Sequence, residues 1–255
     1  MPETLLSVQG LSRSFGGLRA VSDVSLDVPQ GSLGALIGPN GAGKTTLFAL
    51  VSGFLKPDSG SVRFQGRDIT GHPPHRNARL GMTRTFQIVQ PFAQQTVRQN
   101  IAVGAHLRLA GRREALEHAE IVAQQVGLAP QLDQPASDLT VAGRKRLELA
   151  RALATRPRVI LLDEIAGGLT EGECGELVAT IRSLHAEGTS IIWIEHVMQA
   201  VMNLAQQVWV LAQGQLIAHG TPAEVTRDDK VIEAYLGPGA AARLLAGQQT
   251  SVGAT

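Results

Sequence analysis

Gly38-Pro39-Asn40-Gly41-Ala42-Gly43-Lys44-Thr45 is the stretch on which the reading of the fold turns. It follows the apolar run Leu33 to Ile37, a strand pattern, and opens a helical stretch from Thr46 to Gly53. Strand, glycine-rich loop and helix in that order let successive backbone N–H groups curl around phosphate oxygens, with the helix N-terminus adding partial positive charge. In this reading Lys44 reaches the β- and γ-phosphates of a nucleotide, Thr45 offers its hydroxyl to Mg²⁺, and Thr46 completes the cradle.

Short apolar runs bounded by turn residues surround the loop. Leu5 to Val8, Val24 to Val28 and, after the turn Pro57-Asp58-Ser59-Gly60, Val62 to Phe64 predict a strand-rich first third. From Val97 to about Leu153 the pattern turns helical, with Glu114 to Val126 as the best amphipathic segment. Val159 to Leu162 and Ser190 to Ile194 are continuous apolar runs suited to strands covered on both faces of a parallel sheet. The expected fold class is therefore α/β: a phosphate-loop (RecA-like) core at 1–91 and 156–237, with an antiparallel β subdomain and a helical subdomain inserted at about 92–155. A tail at 238–255, rich in Gly, Ala and Gln, predicts mobility.

The formal charge of +1, with both signs dispersed, disfavours nucleic acid as a partner. Arg144, Lys145 and Arg146 open an amphipathic helix and read as a solvated face. Cys174 stands alone, which fits a reducing compartment and leaves no zinc site. Met1-Pro2-Glu3-Thr4 carries no leader pattern, and no apolar run approaches the roughly 20 residues a spanning helix needs, so membrane work falls to a partner.

Leu161-Leu162-Asp163-Glu164 ends a buried strand with two adjacent carboxylates, where an open α/β sheet presents its ligand crevice. Asp163 suits Mg²⁺ through water and Glu164 suits a general base. With Gln87 in Thr85-Phe86-Gln87 and His196 in Trp193-Ile194-Glu195-His196, the set resembles, in order and spacing, the Q-loop, Walker B and switch-histidine motifs of ABC ATPases. That resemblance implies that Gln87 touches Mg²⁺ and the attacking water, and that His196 contacts the γ-phosphate. It also places Phe15 where an aromatic stacks on adenine, with Val21 lining the same ring.

The family's Leu-Ser-Gly-Gly-Gln signature, which meets the ATP of a partner subunit, stands here as Leu139-Thr140-Val141-Ala142-Gly143. Thr140 keeps a hydroxyl, but Val141 puts a β-branched side chain where close backbone approach is expected. Ile165, Thr170 and Val197 also depart from the family pattern, and none of them removes a catalytic group.

Phe15-Gly16-Gly17-Leu18, Thr83 to Gln87, and the ending His219-Gly220-Thr221-Pro222 to Tyr235-Leu236-Gly237 are similar to the ATPases of branched-chain amino acid importers, a subfamily that also serves amides and other small acids. The resemblance implies hydrolysis of ATP with Mg²⁺, a second ABC ATPase as partner in a homo- or heterodimer, and two membrane permease chains. It further implies a periplasmic solute-binding protein and a peripheral place on the cytoplasmic face of the inner membrane. The ATPase of lipopolysaccharide export is the near alternative. A soluble ABC ATPase of DNA repair or translation, and a module that binds ATP without hydrolysing it, are alternatives of other classes. The solute touches the permease, so nothing in this chain selects it.

Overall fold

The computed structural model describes residues 3–195, 198–237 and 240. His196 and Val197, and the tail from Pro238 apart from Ala240, lie outside them. Two sheets share the molecule. β1 (Thr4–Phe15) and β2 (Leu18–Pro29) form a hairpin across Gly16-Gly17, with Phe15 paired to Leu18. Both strands run well past the short apolar stretches that announce them, because register shifts, including one spanning Gly10 at φ 59°, absorb the polar residues between Val8 and Ser14.

β3 (Leu33–Ile37) leads through the phosphate loop into α1 (Lys44–Ser52). β4 (Ser59–Phe64) and β5 (Arg67–Asp68) complete an antiparallel sheet of order β2-β1-β4-β5. After α2 (Pro74–Leu80) and β6 (Met82–Arg84) come three helices, α3 (Val97–Ala105), α4 (Arg112–Gln125) and α5 (Val141–Leu153). They pack on one another around Ile101, Val122 and Leu147. Side-chain caps fix two of their starts: Thr96 and Gln99 form a reciprocal capping box on α3, and Thr140 accepts the Gly143 N–H on α5.

The chain then returns to the second sheet with β7 (Val159–Asp163), α6 (Glu171–Ala186), β8 (Ser190–Ile194), α7 (Met198–Leu204), β9 (Gln207–Ala212) and β10 (Gln215–Gly220). Helices α8 (Pro222–Val225) and α9 (Asp229–Leu236) follow. The strand order is β10-β9-β3-β8-β7-β6, parallel except for the β9–β10 hairpin. Every residue of β3, β7 and β8 is buried, so these uninterrupted apolar runs lie between layers on both faces. On one face Leu36, Leu161 and Trp209 meet Leu47, Leu50 and the β1–β2 hairpin; on the other, Ile160, Leu162 and Trp193 meet Leu177, Ile181 and the helical lobe.

Register gathers the chemistry at one edge. Leu36 of β3 and Asp163 of β7 both pair with Ile194 of β8, so the ends of these strands stand level. Arg84, the last residue of β6, pairs with Leu161, which brings the loop that follows it to the same edge.

Candidate functional site

The phosphate loop is locked by its glycines. Gly43 caps α1 at φ 98°, and a Cβ there would stand 2.2 Å from the Ala20 carbonyl oxygen. Gly38 is held as tightly, since a Cβ would stand 2.0 Å from the Leu211 oxygen. No side chain fits at either position, so β2 and β9 press directly on the loop. Lys44 is buried, and its ammonium donates to the Gly38 and Pro39 carbonyls at 2.8 and 3.1 Å. Burial lowers its pKa, while the carboxylates of Glu164 and Asp163 act in the opposite sense.

A cavity of about 530 Å³ opens beside this loop. Asn40 to Thr46 line it together with Phe15, Leu18, Ala20 and Glu164. Phe15 is 44% exposed, with the Arg13 guanidinium 5.1 Å from its ring centre. Val21 is fully buried in the core, beside Ala20, which lines the cavity.

Thr45 also lines a second cavity, of about 500 Å³, with Arg84, Gln87 and Asp163. Asp163 is 1% exposed. Its Oδ2 accepts from Arg84 Nη2 at 2.6 Å, and its buried Oδ1 has no hydrogen-bond partner. The Arg84 guanidinium lies within 6.0 Å of the ring centres of Phe48, Phe54 and Phe86. A buried carboxylate oxygen without a donor, on a residue that lines the same cavity as Thr45, fits a hard divalent cation. Among the described residues no three His, Cys, Asp or Glu side chains cluster as a metal site.

Glu164 sits at φ 47°, a left-handed conformation that turns its carboxylate out of the β7 line. Its Oε2 accepts from Gln87 Nε2 at 2.7 Å, so the structure joins these two predicted residues directly. His196 lies outside the described residues; Glu195 just before it is buried and accepts the Ala166 N–H at 3.3 Å.

At the other face, Leu139 is buried and the Thr140 hydroxyl is engaged by the Gly143 N–H at 3.1 Å. Val141 projects from the first turn of α5, 57% exposed, and Ala142 lies beneath it. The expectation of a solvated basic face holds for Arg144, which is exposed, and fails for Lys145, which is buried. Arg144 donates to the Leu139 and Ser137 carbonyls, Arg146 pairs with Glu176, and Lys145 is buried against the catalytic edge. The helical period carries Lys145 to the same side as Glu148 and Arg151, facing the core. Sequence reasoning missed this trio, although the 145, 148, 151 spacing was the available signal.

Residues 21–167 match the ABC transporter family, and residues 215–238 match the branched-chain amino acid ATP-binding cassette transporter family. The chain is 40% identical to the high-affinity branched-chain amino acid transport ATP-binding protein LivG of Salmonella typhimurium, over 93% of this chain and 99% of that one. It is also 40% identical to BraF of Pseudomonas aeruginosa, a protein of the same description, with the same coverage. Among solved structures it resembles a nucleotide-free ATP-binding cassette from an ABC transporter, with a TM-score of 0.84 and 31% identity over 91% of this chain and 99% of that one. The ADP conformation of MJ1267, an ATP-binding cassette of an ABC transporter, also gives a TM-score of 0.84 at 31% identity, over 92% and 99%. With its loop, twin carboxylates and parallel sheet in one register, the chain belongs to the ABC transporter ATPase family and hydrolyses ATP.

Proposed function

We propose that this chain powers import of branched-chain amino acids, or of related small amides or acids, from the cytoplasmic face of the inner membrane. The branched-chain amino acid transport roles of LivG and BraF and the match at residues 215–238 favour import over lipopolysaccharide export. No helix among the described residues is long and apolar enough to cross a membrane, so permease chains carry the solute. Ile88, 75% exposed, and Phe92, 46% exposed, offer apolar contact for those chains beside the second cavity. A periplasmic binding protein delivers the solute.

The bond between Gln87 Nε2 and Glu164 Oε2 carries the hydrolytic reading. Phe15 stacks on adenine, and Gly38 to Thr46 cradle the phosphates, with Lys44 leaving its own loop carbonyls for the β- and γ-oxygens. Glu164 takes a proton from the water whose oxygen attacks the γ-phosphorus as the bond to the β-γ bridging oxygen breaks; Gln87 orients that water. Thr45, Asp163 and Gln87 would hold Mg²⁺, which supplies charge neutralisation at the phosphate oxygens when bound. His196 contacts the γ-phosphate, and Leu139 to Gly143 face the ATP of a partner ATPase, identical or different. Glu164→Gln tests the base: ATP stays bound, measured by nucleotide retention, while turnover is lost. Undiminished turnover ends the assignment.

A further inference from the structure

We infer that Lys145 is a positioning residue for hydrolysis, an ammonium on the signature helix that fixes the backbones of Gln87 and Glu164 relative to each other. The inference rests on the reading of those two residues as the hydrolytic pair. Lys145 Nζ donates to the Gln87 carbonyl at 3.0 Å and to the Glu164 carbonyl at 3.2 Å, and the residue is only 8% exposed. Charge-assisted bonds of this kind are among the stronger ones, and removing this cation would take its donor from the Gln87 carbonyl and leave the Glu164 carbonyl only the longer Gly167 N–H at 3.4 Å.

The need for such a clamp follows from where the two residues stand. Gln87 belongs to the loop after β6, outside any strand, while Glu164 follows β7 and keeps one bond to the sheet, its N–H donating to the Ile194 carbonyl at 3.0 Å. Glu164 also occupies a backbone conformation that a non-glycine residue adopts only when its surroundings impose it. A side-chain bond of 2.7 Å keeps its register only while both main chains stay still. One Nζ atom touching both peptides sets their spacing.

The neighbouring contacts give the clamp a direction. The Phe86 N–H acts on the charge of Glu148, and Arg151 Nη1 donates to the Gln90 carbonyl at 3.2 Å. Positions 145, 148 and 151 lie on one face of α5, so residues 86–90 are fastened to that helix. Of the three, Lys145 also bonds the main chain of Glu164, just beyond the end of β7. The carboxylates of Glu195, Glu164, Asp163 and Glu148 all act on its charge. The helix begins at Thr140, in the segment offered to a partner's ATP, so a shift of α5 reaches both members of the chain's own Gln87–Glu164 pair at once through this cation.

The test uses the full chain and steady-state ATP hydrolysis. Lys145→Met is expected to lower kcat by about tenfold to a hundredfold, the scale of a misplaced catalytic group, and to move the KM for ATP by less than about twofold. Lys145→Arg, which keeps the cation and can bridge two carbonyls, restores most of kcat. In a Gln87→Ala background, Lys145→Met costs markedly less than in the parent, because the spacing it maintains has no remaining use. An equal cost in both backgrounds, or a raised KM with kcat retained, overturns the inference. Should Lys145→Met fail to fold, Lys145→Gln, a neutral donor, carries the same cycle. Glu164→Gln run in parallel separates the two readings: turnover persisting there rejects the base itself, whatever Lys145 does.

Discussion

Arg84 Nη2 approaches Asp163 Oδ2 to 2.6 Å in a pair withdrawn from water, with side-chain exposures of 6% and 1%. Removing one partner of a buried ion pair strands the other charge, which costs about 3–5 kcal/mol. Arg84→Met is accordingly expected to lower the free energy of unfolding by that order in a denaturant titration. The same substitution made on Asp163→Asn should cost far less. Equal losses in the two backgrounds would show that Arg84 acts through its aromatic cage rather than through Asp163.

Burial raises the pKa of Glu148, against the opposing effects of Arg151, the Phe86 N–H and Lys145. A carboxyl whose folded pKa lies above the unfolded one contributes stability at low pH and loses it as pH rises through the folded value. Unfolding titrations of the parent and of Glu148→Gln should therefore diverge as pH climbs above the ordinary glutamate value of 4.5, with the variant gaining relative to the parent. Parallel curves would mean that Glu148 titrates alike in both states.

Val141 stands in the first turn of α5 with its side chain 57% exposed. Val141→Gly is expected to open the backbone to a partner's phosphate and to raise turnover of the assembled complex, at a helix cost below about 1 kcal/mol. An unchanged rate with ATP binding intact rules this out. Restoring glutamine at Gly143 in the same experiment meets resistance, since a Cβ there stands 3.1 Å from Leu139 Cδ2.

The phosphate loop and the twin carboxylates were legible in the sequence because each is contiguous and its chemistry dictates residue type. Leu33 to Ile37 and Val159 to Leu162 were equally plain, being apolar runs with no polar residue to accommodate. The burial of Val21 was less plain, because a family position names a neighbourhood and not which of two adjacent strand residues lines the cavity. Arg84, and the partners of Lys145 beyond its own helix face, were unreadable for another reason. Their partners lie 79 and, for Gln87 and Glu164, 58 and 19 residues away, and a lone cation in a sequence does not announce burial.

The grip of α5 on residues 86–90 falls on peptide groups: the Phe86 N–H and the carbonyls of Gln87 and Gln90. Peptide groups are the same whatever side chains they carry. Ile88 and Gln90 can thus drift over evolutionary time to suit one membrane partner or another without loosening the attachment that reports on nucleotide. A cassette fastened in this way can be inherited by new transporters while its mechanical linkage stays unaltered.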